Sequence, residues 1–295
     1  MDKKTVELYH GETLAYSEHG DTSNATLVLL HGNMSSGVHF EPLIPALEKH
    51  FHLLIPDLRG FGDSSYERPI DSLEDFADDV KAFLEALKIP KAHLAGWSTG
   101  GGIALKFAAK YAHVAHKVVL IESASHRGYP IPKKDSEGNV MPSEFYVRKE
   151  DMAEDPVQVA PLKRALEENN RDFIKMVWDQ TIYNVKKPEE EAFERFIDET
   201  MKQRNLVDVD WALMNFNMSN TPNGVAPGDG TIEDVEAPVL AIHGEKDLVI
   251  PETMFNELTD ALKDVRVKTF KNAGHSPVTD IPGPLSETII AFLES

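Results

Sequence analysis

Four short, continuous apolar runs, Leu27–Leu30, Leu53–Ile55, His93–Ala95 and Val118–Ile121, constrain this chain more than any other feature. Each is too short for a helix and too continuous for a strand with one wet face, so each predicts a strand covered on both sides. Helical patterns lie between them. The clearest sets Leu73, Phe76, Val80, Phe83, Leu84 and Leu87 on one stripe, opened by Ser72 and Asp75 as a capping-box-like start. The Ala- and Leu-rich segment Gly100–Ala112 predicts a second helix. Strand alternating with helix, with both sheet faces buried, predicts a doubly wound, mostly parallel α/β sheet. Ahead of it, Val6–Tyr9 and Thr13–Tyr16 flank Gly11 and predict an opening hairpin.

Strand-like runs then stop until Val239–Ile242, and the stretch between, residues 123–237, is far too long for a loop. Within it Phe173, Ile174, Val177 and Trp178, and later Phe193, Phe196, Ile197 and Met201, recur at helical spacing, which predicts an inserted helical cap. Gly224, Pro227, Gly228 and Gly230 mark the return. The alternation resumes with a helix around Thr253–Leu262, a strand at Val265–Phe270 and a closing helix from Leu285. The expected organisation is a core of residues 1–122 and 238–295, with the cap at 123–237.

Composition narrows the function. The 30 Lys and Arg against 49 Asp and Glu give a net charge of −19, which repels a nucleic-acid backbone or an anionic membrane. With no cysteine there is no disulfide, no thiolate nucleophile and no sulfur-ligated metal site. Met1–Glu12 is polar and unlike a signal peptide, and no stretch approaches about 18 apolar residues, so a cytoplasmic protein is expected. The close pairs His50/His52 and His113/His116 lack metal-binding spacing, and neither a Walker loop nor a GxGxxG after a strand is present. No metal and no cofactor is expected.

The chemistry centres on Gly96-Trp97-Ser98-Thr99-Gly100, which follows one predicted strand and opens the next helix. A serine on such a sharp turn is held in a strained conformation, and the residues two before and two after it must be small because strand and helix pass closely there, as Gly96, Gly100 and Gly101 are. The turn also aims the first free amides of the helix at the serine oxygen, making Thr99 N–H a candidate oxyanion donor. Leu29-Leu30-His31-Gly32-Asn33 ends another strand where backbone can approach a ligand, making Asn33 N–H the second. His31 itself is expected to pack within its turn. Asp247, after the strand Val239–Ile242, is the favoured acid, with Glu122 at the end of Val118–Ile121 as a rival. His275, in the loop Asn272–Pro277 after the last strand, completes the chain order serine, acid, histidine and is the favoured base.

His31-Gly32, Arg59-Gly60-Phe61-Gly62-Asp63-Ser64, Gly96–Gly101, His243-Gly244 to Asp247 and Gly274-His275 stand together in one order, and in this the chain resembles the α/β-hydrolase-fold superfamily. The resemblance covers nearly all of the chain outside the cap. It implies a turn at Arg59–Ser64 with Asp63 in a structural role. It also implies a serine esterase or lactonase rather than a haloalkane dehalogenase or most epoxide hydrolases, which carry aspartate at the elbow. The expected reaction is cleavage of small or medium, mostly apolar esters or lactones through an acyl-enzyme on Ser98, with His275 as base and Asp247 behind it. The same three residues could also serve acyl transfer, perhydrolase or haloperoxidase-like chemistry or a lyase, and a few relatives of this fold are small-molecule receptors. In the cap, Trp178, Tyr183, Trp211, Met214 and Met218 are the expected pocket residues, with Met176 and Phe216 also in reach.

Overall fold

The computed structural model describes residues 2–295. Its strands in chain order are β1 (Lys4–Glu7), β2 (Thr13–His19), β3 (Thr26–Leu30), β4 (His52–Pro56), β5 (Ala92–Trp97), β6 (Ala115–Ile121), β7 (Pro132–Lys134), β8 (Val140–Phe145), β9 (Val239–Gly244) and β10 (Val265–Phe270). Eight of them form one sheet in the order β1-β2-β4-β3-β5-β6-β9-β10. Every neighbouring pair from β4 to β10 is parallel, and β2 pairs antiparallel with both β1 and β4. This is the doubly wound, mostly parallel α/β sheet that the alternating apolar runs imply, with the hairpin at one edge.

The apolar runs are buried because both faces of each strand are covered. Alternate residues point to opposite sides. Val28, Leu30, Leu94 and Leu120 belong to a core shared with the helices Leu73–Ala86 and Thr99–Lys110, whereas Leu27, Leu29, Ala95 and Ile121 join a second core with the helix Pro282–Leu293. The helix Leu73–Ala86 starts as its sequence dictates: Asp75 N–H donates to Ser72 Oγ at 3.3 Å, and Ser72 N–H donates to Asp75 Oδ2 at 2.9 Å.

After β6 the chain leaves the sheet and returns at β9. The excursion carries the helices Lys149–Ala153, Ala160–Glu167, Arg171–Thr181, Glu190–Thr200 and Leu206–Asn215. It also carries the antiparallel pair β7–β8, which helical periodicity did not anticipate. The residues involved, Pro-Lys-Lys and Val-Met-Pro-Ser-Glu-Phe, bury no side chain fully, so they leave no hydrophobic alternation to read. Among the described residues no helix is long and apolar enough to cross a membrane.

Strand order reverses about β3, whose neighbours β4 and β5 lie on opposite sides. In such sheets the crevice for a ligand opens beyond the carboxyl ends of the strands at this reversal. The ends of β3 and β5, and the loops after β9 and β10, carry the candidate residues.

Candidate active site

Ser98 follows β5 directly and precedes the helix Thr99–Lys110, with φ 54° and ψ −118°. A non-glycine residue at positive φ costs energy and persists only where its surroundings over-determine it. Here they do. Ser98 N–H donates to Ile121 O on β6 at 2.9 Å, and Ser98 O accepts from Gly101 N–H at 2.9 Å and Ala124 N–H at 3.0 Å. A Cβ at residue 96 would overlap the Gly100 carbonyl, so only glycine lets strand and helix pass so closely there.

His275 and Asp247 meet across the loops that follow β10 and β9. The ring Nδ1 lies 2.8 Å from Asp247 Oδ2, and the other carboxylate oxygen accepts from Val249 N–H at 2.6 Å and Ile250 N–H at 3.0 Å. Both side chains are buried. Burial alone would raise the Asp247 carboxyl. The adjacent His275 charge, its hydrogen bond and those from Glu122 and the Ile250 amide outweigh this and hold it at about 2. A carboxylate facing Nδ1 places the proton there and leaves the Nε2 lone pair as the basic site. Trp97, the residue before Ser98, donates from its indole Nε1 to His275 O at 2.7 Å and so ties the histidine loop to the serine turn. Among the described residues the Ser98 hydroxyl makes no hydrogen bond.

Glu122 does not approach His275 as an alternative acid would. It directly follows β6 in a fully buried position, its Oε2 is 2.9 Å from His243 Nδ1, and its carboxyl lies against that of Asp247. Two adjacent buried carboxyls cannot both ionise. Burial, and then the charge of Asp247, push the Glu122 carboxyl well above the usual carboxylate range, which favours its protonated form. Its Oε1 has no hydrogen-bond partner among the described residues. Glu122→Gln keeps a neutral donor at this place and removes no charge. The pH profile of kcat/KM in this variant is therefore expected to superpose on that of the parent. An ionised Glu122 would instead stabilise the protonated imidazole, and its replacement would move the acid limb to lower pH, which steady-state assays from pH 5 to 9 would detect.

A cavity of ≈ 380 Å³ opens over Ser98, with Asn33 and Thr99 in its wall. Among the described residues neither the Asn33 nor the Thr99 backbone N–H has a hydrogen-bond acceptor. Gly32 brings the first of these amides close: a Cβ there would stand 3.0 Å from Ser98 Cβ and 3.6 Å from Ser98 Oγ, filling the space a reacting carbonyl needs. His31 and Asp63 are engaged elsewhere. His31 Nε2 accepts from Leu58 N–H at 2.9 Å, and Asp63 pairs with Lys3 at 2.7 Å and Lys202 at 2.8 Å.

The five expected pocket residues do not line this cavity, which corrects that expectation. Trp178 and Tyr183 are buried with His39 and Trp97 in an aromatic cluster, their rings 5.3 Å apart. Met214 lies in a small separate core against which Trp211 packs, and Met218 lies in the core beneath the helix Thr99–Lys110. Met176 faces solvent, and Phe216 is core. From the same helix as Trp178 the wall takes Phe173, Val177 and Thr181, joined by Ile182, with Met34 and Leu248 from the loops after β3 and β9. Adjacent helical residues differ by about 100° in direction, so Val177 and Trp178 face different environments. Gln158, Tyr129, Thr181 and Asp210 are the polar wall residues that sequence reasoning did not single out.

Comparison with known proteins identifies the family and the fold. Residues 25–280 match the family model described as alpha/beta hydrolase fold. Lipase 1 of Psychrobacter immobilis is 26% identical over 294 residues, covering 99% of this chain and 84% of the relative. Lipase 3 of a Moraxella species (strain TA144) is 23% identical over 287 residues, covering 95% and 81%. Among solved structures, an esterase from Exiguobacterium antarcticum superposes with a TM-score of 0.77 at 19% identity, covering 100% of both chains. With its sheet order, its serine turn and a family match over most of its length, the chain belongs to the alpha/beta hydrolase fold family.

Proposed function

We propose that the protein is a serine hydrolase of small or medium, mostly apolar carboxylic esters or lactones, acting through an acyl-enzyme on Ser98. The observation that carries this reading is the buried His275–Asp247 pair, tied through Trp97 to a strained serine that opens on a cavity with two unpaired amides.

The steps follow from these groups. His275 Nε2 takes the Ser98 proton as Oγ attacks the carbonyl carbon, and Asp247 stabilises the imidazolium that results. The carbonyl oxygen gains charge and settles between Asn33 N–H and Thr99 N–H, each such donor being worth about 3 kcal/mol in comparable sites. The leaving alcohol takes the proton from His275. Water, deprotonated by the same ring, then releases the acid and restores Ser98. The apolar wall of Met34, Phe173, Val177 and Ile182 supports the preference for apolar substrates.

The test is paired. A fluorophosphonate is expected to label Ser98 stoichiometrically and to abolish multiple turnover of p-nitrophenyl butyrate. Absence of labelling at Ser98 in protein that still cleaves the ester would overturn the assignment. A single slow turnover would favour a receptor in its place.

A further inference from the structure

Asp210 is the charged side chain that the proposed mechanism leaves unused in this cavity. It sits on the helix Leu206–Asn215 and shares the cavity wall with Ser98, Asn33 and Thr99. Its Oδ1 accepts from Asn33 Nδ2 at 2.9 Å. Among the described residues its side chain has no other hydrogen bond and no ion pair, and no Lys, Arg or His lines the cavity. An acid kept in a mostly apolar cavity without a cation is costly unless a ligand completes it. Holding Asn33 does not require it. Asn33 is already fixed through its Oδ1, which accepts from Met34 N–H at 2.9 Å and from Gln203 Nε2 at 2.8 Å.

We propose that the substrate carries a hydrogen-bond donor, a hydroxyl or an ammonium group, on the part that lies beside Asp210. The inference rests on the hydrolase reading and adds a substrate class to it. Burial pushes the Asp210 carboxyl up to about 7, against the hydrogen bond from Asn33, so its charged form needs a further donor. An ammonium group supplies both charge and hydrogen bonds, and a hydroxyl supplies the hydrogen bond. A site built to bond a donor discriminates strongly against analogues that lack it, because its own polar group is then left unpaired.

The experiment compares kcat/KM for p-nitrophenyl butyrate with the esters of 2- and 3-hydroxybutyrate and of 2- and 3-aminobutyrate, in the parent protein and in Asp210→Asn and Asp210→Val. At least one donor-bearing ester is expected to exceed plain butyrate by about tenfold or more, as a hydrogen bond to a charged group provides. Whether the hydroxy or the amino series shows the advantage identifies the donor. The readout is this ratio within each protein. It should collapse towards unity in Asp210→Val for either donor, and in Asp210→Asn for the amino series. A merely structural Asp210 would lower all esters alike and leave the ratio intact, and that result overturns the proposal. So does a parent protein that prefers plain butyrate. Should Asp210→Val not fold, Asp210→Asn with the amino series, and the parent ratio itself, still decide. Turnover of plain butyrate without a donor advantage overturns this inference alone, whereas no turnover of any ester overturns the hydrolase reading with it.

Discussion

Ser98→Ala is expected to lower kcat for p-nitrophenyl butyrate by about 10⁶, the loss seen when the nucleophile is removed from a well-studied triad. The hydroxyl at this position opens on the cavity from a turn whose backbone is held by Ile121, Gly101 and Ala124. Alanine fills that turn without a new clash, so the fold should be retained and the loss should fall on chemistry. The Asn33 and Thr99 amides remain, because side-chain substitution cannot delete them, and a residual rate of about 10³ to 10⁴ over water should persist. Steady-state kinetics of the variant, with circular dichroism to verify folding, measures this. Turnover within a hundredfold of the parent would mean that another group makes the bond.

Asp247→Asn is expected to cost about 10⁴ in kcat with little change in secondary structure. The amide is close in size, and its oxygen can still accept from the Val249 and Ile250 amides that now bind Oδ1. The amide NH₂ then faces His275 Nδ1 as a donor and draws the ring into the tautomer that carries its proton on Nε2, where no proton can be taken from Ser98. The substitution also removes the charge that helps raise the Glu122 carboxyl. Kinetics of Asp247→Asn alone and combined with Glu122→Gln separates the two carboxyls. A loss below about tenfold in the single variant, deepening sharply in the double, would make Glu122 the working acid and remove Asp247 from the proposed relay.

Much of the scaffold was legible in short segments. The runs Leu27–Leu30 and Val118–Ile121 are buried on both faces because successive side chains enter the two cores alternately. The predicted stripe ending at Leu87 corresponds to the helix Leu73–Ala86, with Leu87 as its C-cap. The β7–β8 pair stayed hidden because its residues are half-exposed or exposed and carry no alternation. The cavity wall was misread for a related reason. Helical spacing marks Trp178 and Val177 equally as inward-facing, and only the packing of that helix against His39 and Trp97 shows which of them turns into the core.

What the amino-acid order determined by itself is local: which segments bury on both faces, where glycine must stand around Ser98, and the succession of serine, acid and histidine. Only the tertiary structure decided which carboxyl meets His275, that Glu122 lies beside Asp247 as its buried neighbour, and that Asp210 shares a cavity with Ser98. The division is physical. Turn sterics and apolar periodicity act over a few residues, whereas charge, burial and cavity walls depend on groups such as Trp97 and His275, which lie 178 positions apart in the chain and are joined by one hydrogen bond once it folds.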